Sequence, residues 1–151
     1  RGPWPVHCQI GGSGPLRWRL EGRIRALGLE AHIRLIGTVD PEQLPVYYSA
    51  SDVFCLLSLT EGSPNVVLES LACGTPVLAT PVGNIPELLR DGECGIVIRE
   101  RSPAAVAEAM ATALDRRWDR QRIACSVASR NWETVAEEQI QVYLKVLADS
   151  P

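Results

Sequence analysis

The chain has 151 residues, of which 46% are apolar and 22% charged, with a net charge of −3. This balance fits one ordinary globular domain with a real core, and excludes disorder, low complexity and collagen-like repeats. The acidic net charge also argues against a nucleic-acid partner, which would call for a basic excess.

The charge is unevenly spread. Residues 1–37 carry six Arg and two Glu, whereas residues 38–100 carry two Arg and nine acids. Apolar runs such as Val53–Leu57 fall far short of the ~20 residues of a membrane span, and no secretory apolar segment opens the chain. The start at Arg1, without a methionine, suggests an excised domain. Cysteines at 8, 55, 73, 94 and 125 form no Cys-x-x-Cys pair, so they read as reduced cytosolic thiols and the expected location is cytoplasmic. His7 and His32 lie in strand-like segments and suit neither a metal site nor a catalytic triad; no metal or other cofactor is expected.

Residues 5–10 read as a strand closed by Gly11-Gly12-Ser13-Gly14, after which Pro15 opens a helix with Leu16, Leu20, Ile24 and Leu27 on one face. Gly28 is placed to end that helix. His32–Ile36 is a second strand, and Asp40-Pro41 starts a short helical segment. Asp52–Leu57 has the continuous apolar character of a strand buried on both faces of a parallel sheet. Ser63-Pro64 starts the next helix, which ends near Cys73-Gly74. Strand-like Pro76–Thr80, helical 84–90, strand-like Gly95–Ile98 and a helix from Ser102-Pro103 through Leu114 continue the alternation. Helical stretches over 117–130 and 132–148 close the chain. The pattern is that of an α/β fold, a doubly wound, Rossmann-like parallel sheet of about five strands with a C-terminal helical tail. No linker or repeat interrupts it, so it reads as one domain. In the last helix, Trp132, Val135, Ala136, Gln139, Ile140, Tyr143, Val146 and Leu147 make a largely apolar stripe at helical spacing. Packing against this domain is the simpler reading, and docking onto a second domain is the other.

Ligands of open parallel sheets bind beyond the carboxyl ends of the strands, which directs attention to two loops. Gly11–Pro15 joins a strand to a helix but lacks the third glycine of a dinucleotide fingerprint, whose place is taken by Arg17. The loop from Ser58 to Glu69 is more telling. Ser63 suits an N-cap and Pro64 the first helical position, leaving the amides of Asn65, Val66 and Val67 free to meet an anion, phosphate above all. Glu69 falls four residues after Asn65, on the same helix face, and Glu61 lies on the loop before it. Carboxylates beside a phosphate site make sense if the ligand also carries hydroxyls, as a nucleotide sugar does. The alternative is that Glu61 and Glu69 are simply solvated charges.

Glu61 and Glu69, with seven residues between them, resemble the E-x7-E motif of the family 4 retaining glycosyltransferases. The surrounding segments agree in order and spacing: Ile10–Pro15, Ile36–Val39, Tyr47–Asp52, Leu71–Val77, Ala79–Gly83 and Gly92–Gly95. The resemblance implies the C-terminal, donor-binding half of a GT-B fold over residues 1–151, with the N-terminal acceptor domain outside this chain. It implies a hexosyl transfer with retention of configuration from a nucleotide-diphosphate sugar, the acceptor being a sugar or a lipid held by that other domain. By the same resemblance Glu69 would bind the ribose and Glu61, as the catalytic residue, the transferred sugar. Asn65 and Val66 would meet the diphosphate, Gly62 and Ser63 the sugar, and Thr38 and Val39 the base. Gly12 and Gly14 would let the backbone pass close to the nucleotide. Two alternatives stand beside it: a sugar-nucleotide epimerase of the same fold, and a non-catalytic binding or assembly module.

Departures are also visible. Asn84 stands where the family commonly has a second glycine after Gly83, and Leu57 where a proline often precedes the serine. An Arg and a Lys that usually grip the diphosphate early in this domain are expected upstream of Arg1. Because the first helix carries Arg17, Arg19, Arg23 and Arg25, contact with a membrane surface is conceivable, but a solvated basic face is the simpler reading. The expected location stays cytoplasmic, with the full-length protein at most peripheral to the inner face of the membrane.

Overall fold

Strands and helices alternate as the sequence pattern requires, in a computed structural model that describes residues 6–89 and 92–148 and, within these, no side chain for residue 132. The expected strand start at Pro5, the helix end at Arg90 and the Trp132 member of the apolar stripe therefore lie outside the described residues. Contacts divide the chain into two units, residues 1–47 and 48–151, where the unbroken alternation reads as one domain. Alternation reports the order of elements but not which strands share hydrogen bonds.

In the first unit, β1 (Cys8–Gly11) pairs in parallel with β2 (Ile33–Gly37). Ile10 lies opposite Leu35, but Gly11 lies opposite Gly37, so β2 bulges at Ile36. Between them α1 (Arg17–Ala26) begins two residues later than Pro15 suggests, and no side chain caps it. Its last turn carries Arg23 and Arg25, which suit the negative end of the helix dipole. Of its expected apolar face, Leu16, Leu20 and Leu27 are exposed and Ile24 is half-buried. A 3-10 turn at Pro41–Gln43 follows β2, with the Asp40 carboxylate accepting from the Glu42 amide at 3.0 Å. It leads into α2 (Leu44–Ala50).

The second unit holds three parallel strands, β3 (Phe54–Leu56), β4 (Val77–Ala79) and β5 (Gly95–Val97), in that order. Phe54, Val77 and Gly95 stand in register across them. The expectation that 52–57 is buried on both faces is not met: every residue of β3 is only half-buried. β3 sits at the edge of its ladder, whereas β4 has a partner on each side and is at most 1% exposed throughout. The buried continuous run is therefore β4, preceded in the chain by α3 (Asn65–Ala72) and followed by α4 (Ile85–Leu89).

Val67 and Leu71 of α3 join Val77, Ala79, Ile85, Leu89, Val97 and Ile123 in one core. Complete burial of such side chains supplies roughly 1.5–3 kcal/mol each, the main driving force for this unit. Ser102 caps α5 (Pro103–Asp115) by accepting from the Ala105 amide at 3.2 Å. The expected helix over 117–130 is shortened to α6 (Arg120–Ser126), because Arg116 is extended and Asp119 caps afresh by accepting from Arg122 N at 2.9 Å. α7 (Trp132–Ala148) is capped by Asn131, whose side chain accepts from both the amide and the hydroxyl of Thr134. Packing of the α7 stripe against this domain is also not met: Ile140, Tyr143 and Leu147 are 53–71% exposed. Among the described residues no helix is long and apolar enough to cross a membrane.

Candidate functional site

Parallel neighbours send their carboxyl-terminal loops to the same end of a sheet, and β3 and β4 do so here. The loop after β3, residues 57–64, is tied to the loop after β4 by a ladder of contacts. Thr80 Oγ1 donates to the Ser58 carbonyl at 2.7 Å, and the Asn84 amide donates to the Gly62 carbonyl at 3.1 Å. Between these, Gly83 has φ +56°, and a Cβ built there would collide with the Gly62 carbonyl and approach that of Glu61 at 2.8 Å. Only glycine serves at this point of contact.

The Asn84 side chain adds a further tie, donating from Nδ2 to Ser63 Oγ at 2.9 Å, while its Oδ1 is buried without a partner among the described residues. This bond bears on the expected capping by Ser63. α3 begins at Asn65, its N-cap is Pro64 with φ −72° and ψ 111°, and no side chain caps it. Extended Pro64 pushes the helix start one residue on, and the Ser63 hydroxyl is engaged by Asn84 instead. The first-turn donors are correspondingly fewer than expected. Val67 N donates to the Pro64 carbonyl at 3.1 Å, so it is not free. Among the described residues the Asn65 and Val66 amides donate to no protein acceptor, which leaves two N–H groups at the positive end of the α3 dipole.

Glu69 lies one turn along α3 and is exposed, yet it is not a loose charge. Its Oε2 accepts from the Tyr48 hydroxyl at 3.1 Å. Tyr48 is 5% exposed, on α2, and its ring meets Phe54 edge-on with centroids 5.2 Å apart. Burial, and then the neighbouring Glu69 carboxylate, push the Tyr48 phenol upward, so it remains a neutral donor at ordinary pH. Glu61 is half-buried on the loop before α3, and its carboxylate pairs with no described residue. Gly62, Ser63 and Asn65 are exposed, and Val66 is half-buried. The structure thus brings Glu61, Gly62, Ser63, Asn65, Val66 and Glu69 onto one loop and the helix it opens, all in the second unit.

The other expected residues belong to the first unit. Gly12 and Gly14 are exposed after β1, and no atom lies within 4 Å of a Cβ built on either. Gly12 has φ +120°, which favours glycine, but Gly14 has no such constraint. Thr38 is exposed and Val39 half-buried in the loop after β2.

Arg120 on α6 was not legible as part of this region. Its guanidinium donates to the carbonyls of Ser49 and Ser51 at 3.0 Å each and to Thr75 Oγ1 at 2.7 Å, fastening the carboxyl end of α2. Thr75 Oγ1 in turn donates to the Tyr48 carbonyl at 2.6 Å. Among the described residues no group of three or more His, Cys, Asp or Glu is placed to hold a metal ion.

The family described as glycosyl transferases group 1 matches residues 5–132. A D-inositol 3-phosphate glycosyltransferase from Corynebacterium urealyticum is 33% identical over 139 residues, which are 87% of this chain and 32% of that protein. The solved structure of sucrose-phosphate synthase from Thermosynechococcus elongatus is similar with a TM-score of 0.80 and 32% identity, over 94% of this chain and 39% of that one. HepE of Anabaena, solved in complex with UDP-glucose, is similar with a TM-score of 0.74 and 25% identity, over 95% of this chain and 42% of that one. The chain spans about a third of the length of its curated relatives, 32% in the case above. The parallel α/β fold and the match over residues 5–132 agree: this chain belongs to the glycosyl transferases group 1 family, and its fold is that of the matching part of a GT-B glycosyltransferase.

Proposed function

We propose that residues 1–151 form the donor-binding half of a retaining hexosyl transferase, and that the second unit holds a nucleotide-diphosphate sugar through α3 and the loop before it. One observation carries this reading. Two unpartnered amides, of Asn65 and Val66, open a helix whose next turn presents the anchored Glu69 carboxylate. Helix-terminal N–H groups favour a diphosphate, and an ionised carboxylate is a strong acceptor for ribose hydroxyls. The Gly62 and Ser63 amides and the Glu61 carboxylate, held by the loop after β4, then serve the transferred sugar. Cleavage of the donor places negative charge on the leaving diphosphate, where the fixed amides stabilise it without reorganisation. That stabilisation is electrostatic and needs no metal from this chain. The exposed apolar face of α7, with Ile140, Tyr143 and Leu147, fits the same reading as the surface against which the acceptor half docks.

HepE is a relative solved with UDP-glucose, which makes uridine donors the first to try. The full-length protein should be titrated calorimetrically with uridine, guanosine and adenosine diphosphate sugars. Saturable binding of at least one donor, with binding of the matching nucleoside diphosphate, is expected. Absence of binding by every donor would contradict the proposal. Proton spectra of the transfer product, read for the anomeric configuration of the new glycosidic bond against that of the donor, then test retention directly.

A further inference from the structure

Glu69 presents a problem of precision that the structure itself resolves. An exposed glutamate on a helix has three rotatable side-chain bonds and no inherent reason to hold one orientation. Here one carboxylate oxygen is taken by a hydroxyl that cannot move far. Tyr48 is 5% exposed, and its ring is braced edge-on by Phe54. Its own carbonyl accepts from Thr75 Oγ1 at 2.6 Å, and Thr75 Oγ1 accepts from Arg120 at 2.7 Å. The same guanidinium holds the carbonyls of Ser49 and Ser51, on either side of the end of α2. The chain of bonds from α6 through Thr75 to Tyr48 ends on Glu69.

We propose that Tyr48 is a positioning residue for ligand recognition: its hydroxyl, 3.1 Å from Glu69 Oε2, fixes the carboxylate so that its remaining lone pairs accept from the vicinal hydroxyls of a ribose. This rests on the reading of Glu69 as the ribose acceptor. A carboxylate has about four acceptor sites, so one phenol leaves enough for a diol. Pre-orientation matters because two hydrogen bonds to adjacent hydroxyls need the carboxylate plane set before binding, and a group already held loses less freedom on binding. A merely structural role is the competing account, since a buried tyrosine hydroxyl seeks a partner in any case. The two accounts differ in what they say of the ribose.

The test uses the full-length protein and the nucleoside diphosphate it binds best among those of uridine, guanosine and adenosine. Affinity for that compound is compared with affinity for its 2′,3′-dideoxy form in the wild type, Tyr48→Phe and Glu69→Ala. The wild type should prefer the ribose form about tenfold or more, the scale of hydrogen bonds to a charged group. Glu69→Ala should abolish the preference. Tyr48→Phe keeps the ring and its packing, and should reduce the preference about three- to tenfold while leaving the dideoxy affinity unchanged. Full preference in Tyr48→Phe together with its loss in Glu69→Ala overturns the positioning role alone. Equal weakening of both compounds in Tyr48→Phe also overturns it, in favour of a structural role. A wild type without preference, or a Glu69→Ala that keeps it, overturns the Glu69 reading and the proposal together.

Discussion

Replacing Arg120 by lysine is the substitution for which the structure makes its sharpest statement about stability. The guanidinium makes three donor bonds, to Ser49 O, Ser51 O and Thr75 Oγ1, at 3.0, 3.0 and 2.7 Å. All three depend on the planar fork, with two of them leaving the same nitrogen. The carbonyls lie at the negative end of α2, where a cation is favoured. Each charged hydrogen bond contributes roughly 1.5–3 kcal/mol when well buried, but this side chain is only half-buried and the three bonds are not independent. A combined contribution of about 2–4 kcal/mol is the reasonable scale. Lysine keeps the charge but is a point donor on a flexible stem, and it cannot span three acceptors at once. We expect Arg120→Lys to lose most of what Arg120→Ala loses, about 2–3 kcal/mol by urea denaturation. For a chain of this size that corresponds to a fall in Tm of very roughly 4–12 °C. A lysine variant within about 0.5 kcal/mol of the wild type would refute the argument, because it would show that charge alone and not the fork supports α2.

Gly83→Ala places a methyl group against the Gly62 carbonyl at φ +56°; a loss of about 2 kcal/mol or more is expected in thermal melts, with weakened donor binding. Donor affinity unchanged in that variant would separate the loop contact from the site. Asn84→Ala removes an exposed bond to Ser63, worth about 0.5–1.5 kcal/mol, but also removes a buried oxygen without a partner, whose burial costs about 1–3 kcal/mol. Its stability should therefore be equal to or slightly above the wild type, and a clear loss of Tm would contradict that balance. Finally, because helix amides are proposed to stabilise the leaving diphosphate, turnover by the full-length protein should survive excess chelator; a strict requirement for magnesium or manganese in the chemical step would count against this role.

Local chemistry was legible in the sequence wherever it acts over a few residues. Ser102 three residues before Ala105, and Asp40 before Pro41, cap as their positions suggest. The loop bearing Glu61 and the helix bearing Glu69 were visible because a turn, a proline and an apolar run adjoin there. What was not visible acts across the chain. Tyr48 and Glu69 are 21 positions apart, and Arg120 reaches Ser49 across 71. No period or spacing in one sequence joins such residues. The misplaced cap has a similar origin: Ser63 is a good N-cap by type, but Asn84, 21 residues on, engages its hydroxyl. Likewise the apolar run at 52–57 is a fine interior strand by composition, and only the ladder order assigns the interior position to β4. The stripe on α7 shows the converse limit, since helical period locates an apolar face without saying what covers it.

The central claim is that Glu61 and Glu69 divide the donor between them, and calorimetric titration of Glu61→Ala and Glu69→Ala in the full-length protein tests it most directly. Each variant is titrated with the preferred nucleotide-diphosphate sugar and with the corresponding nucleoside diphosphate. Glu69→Ala should weaken both ligands about tenfold or more, the scale of a hydrogen bond to a charged acceptor. Glu61→Ala should leave the nucleoside diphosphate nearly unchanged and weaken the sugar-bearing donor or its turnover. Equal losses for both ligands in both variants would contradict the claim and show the two carboxylates to be supports of the loop.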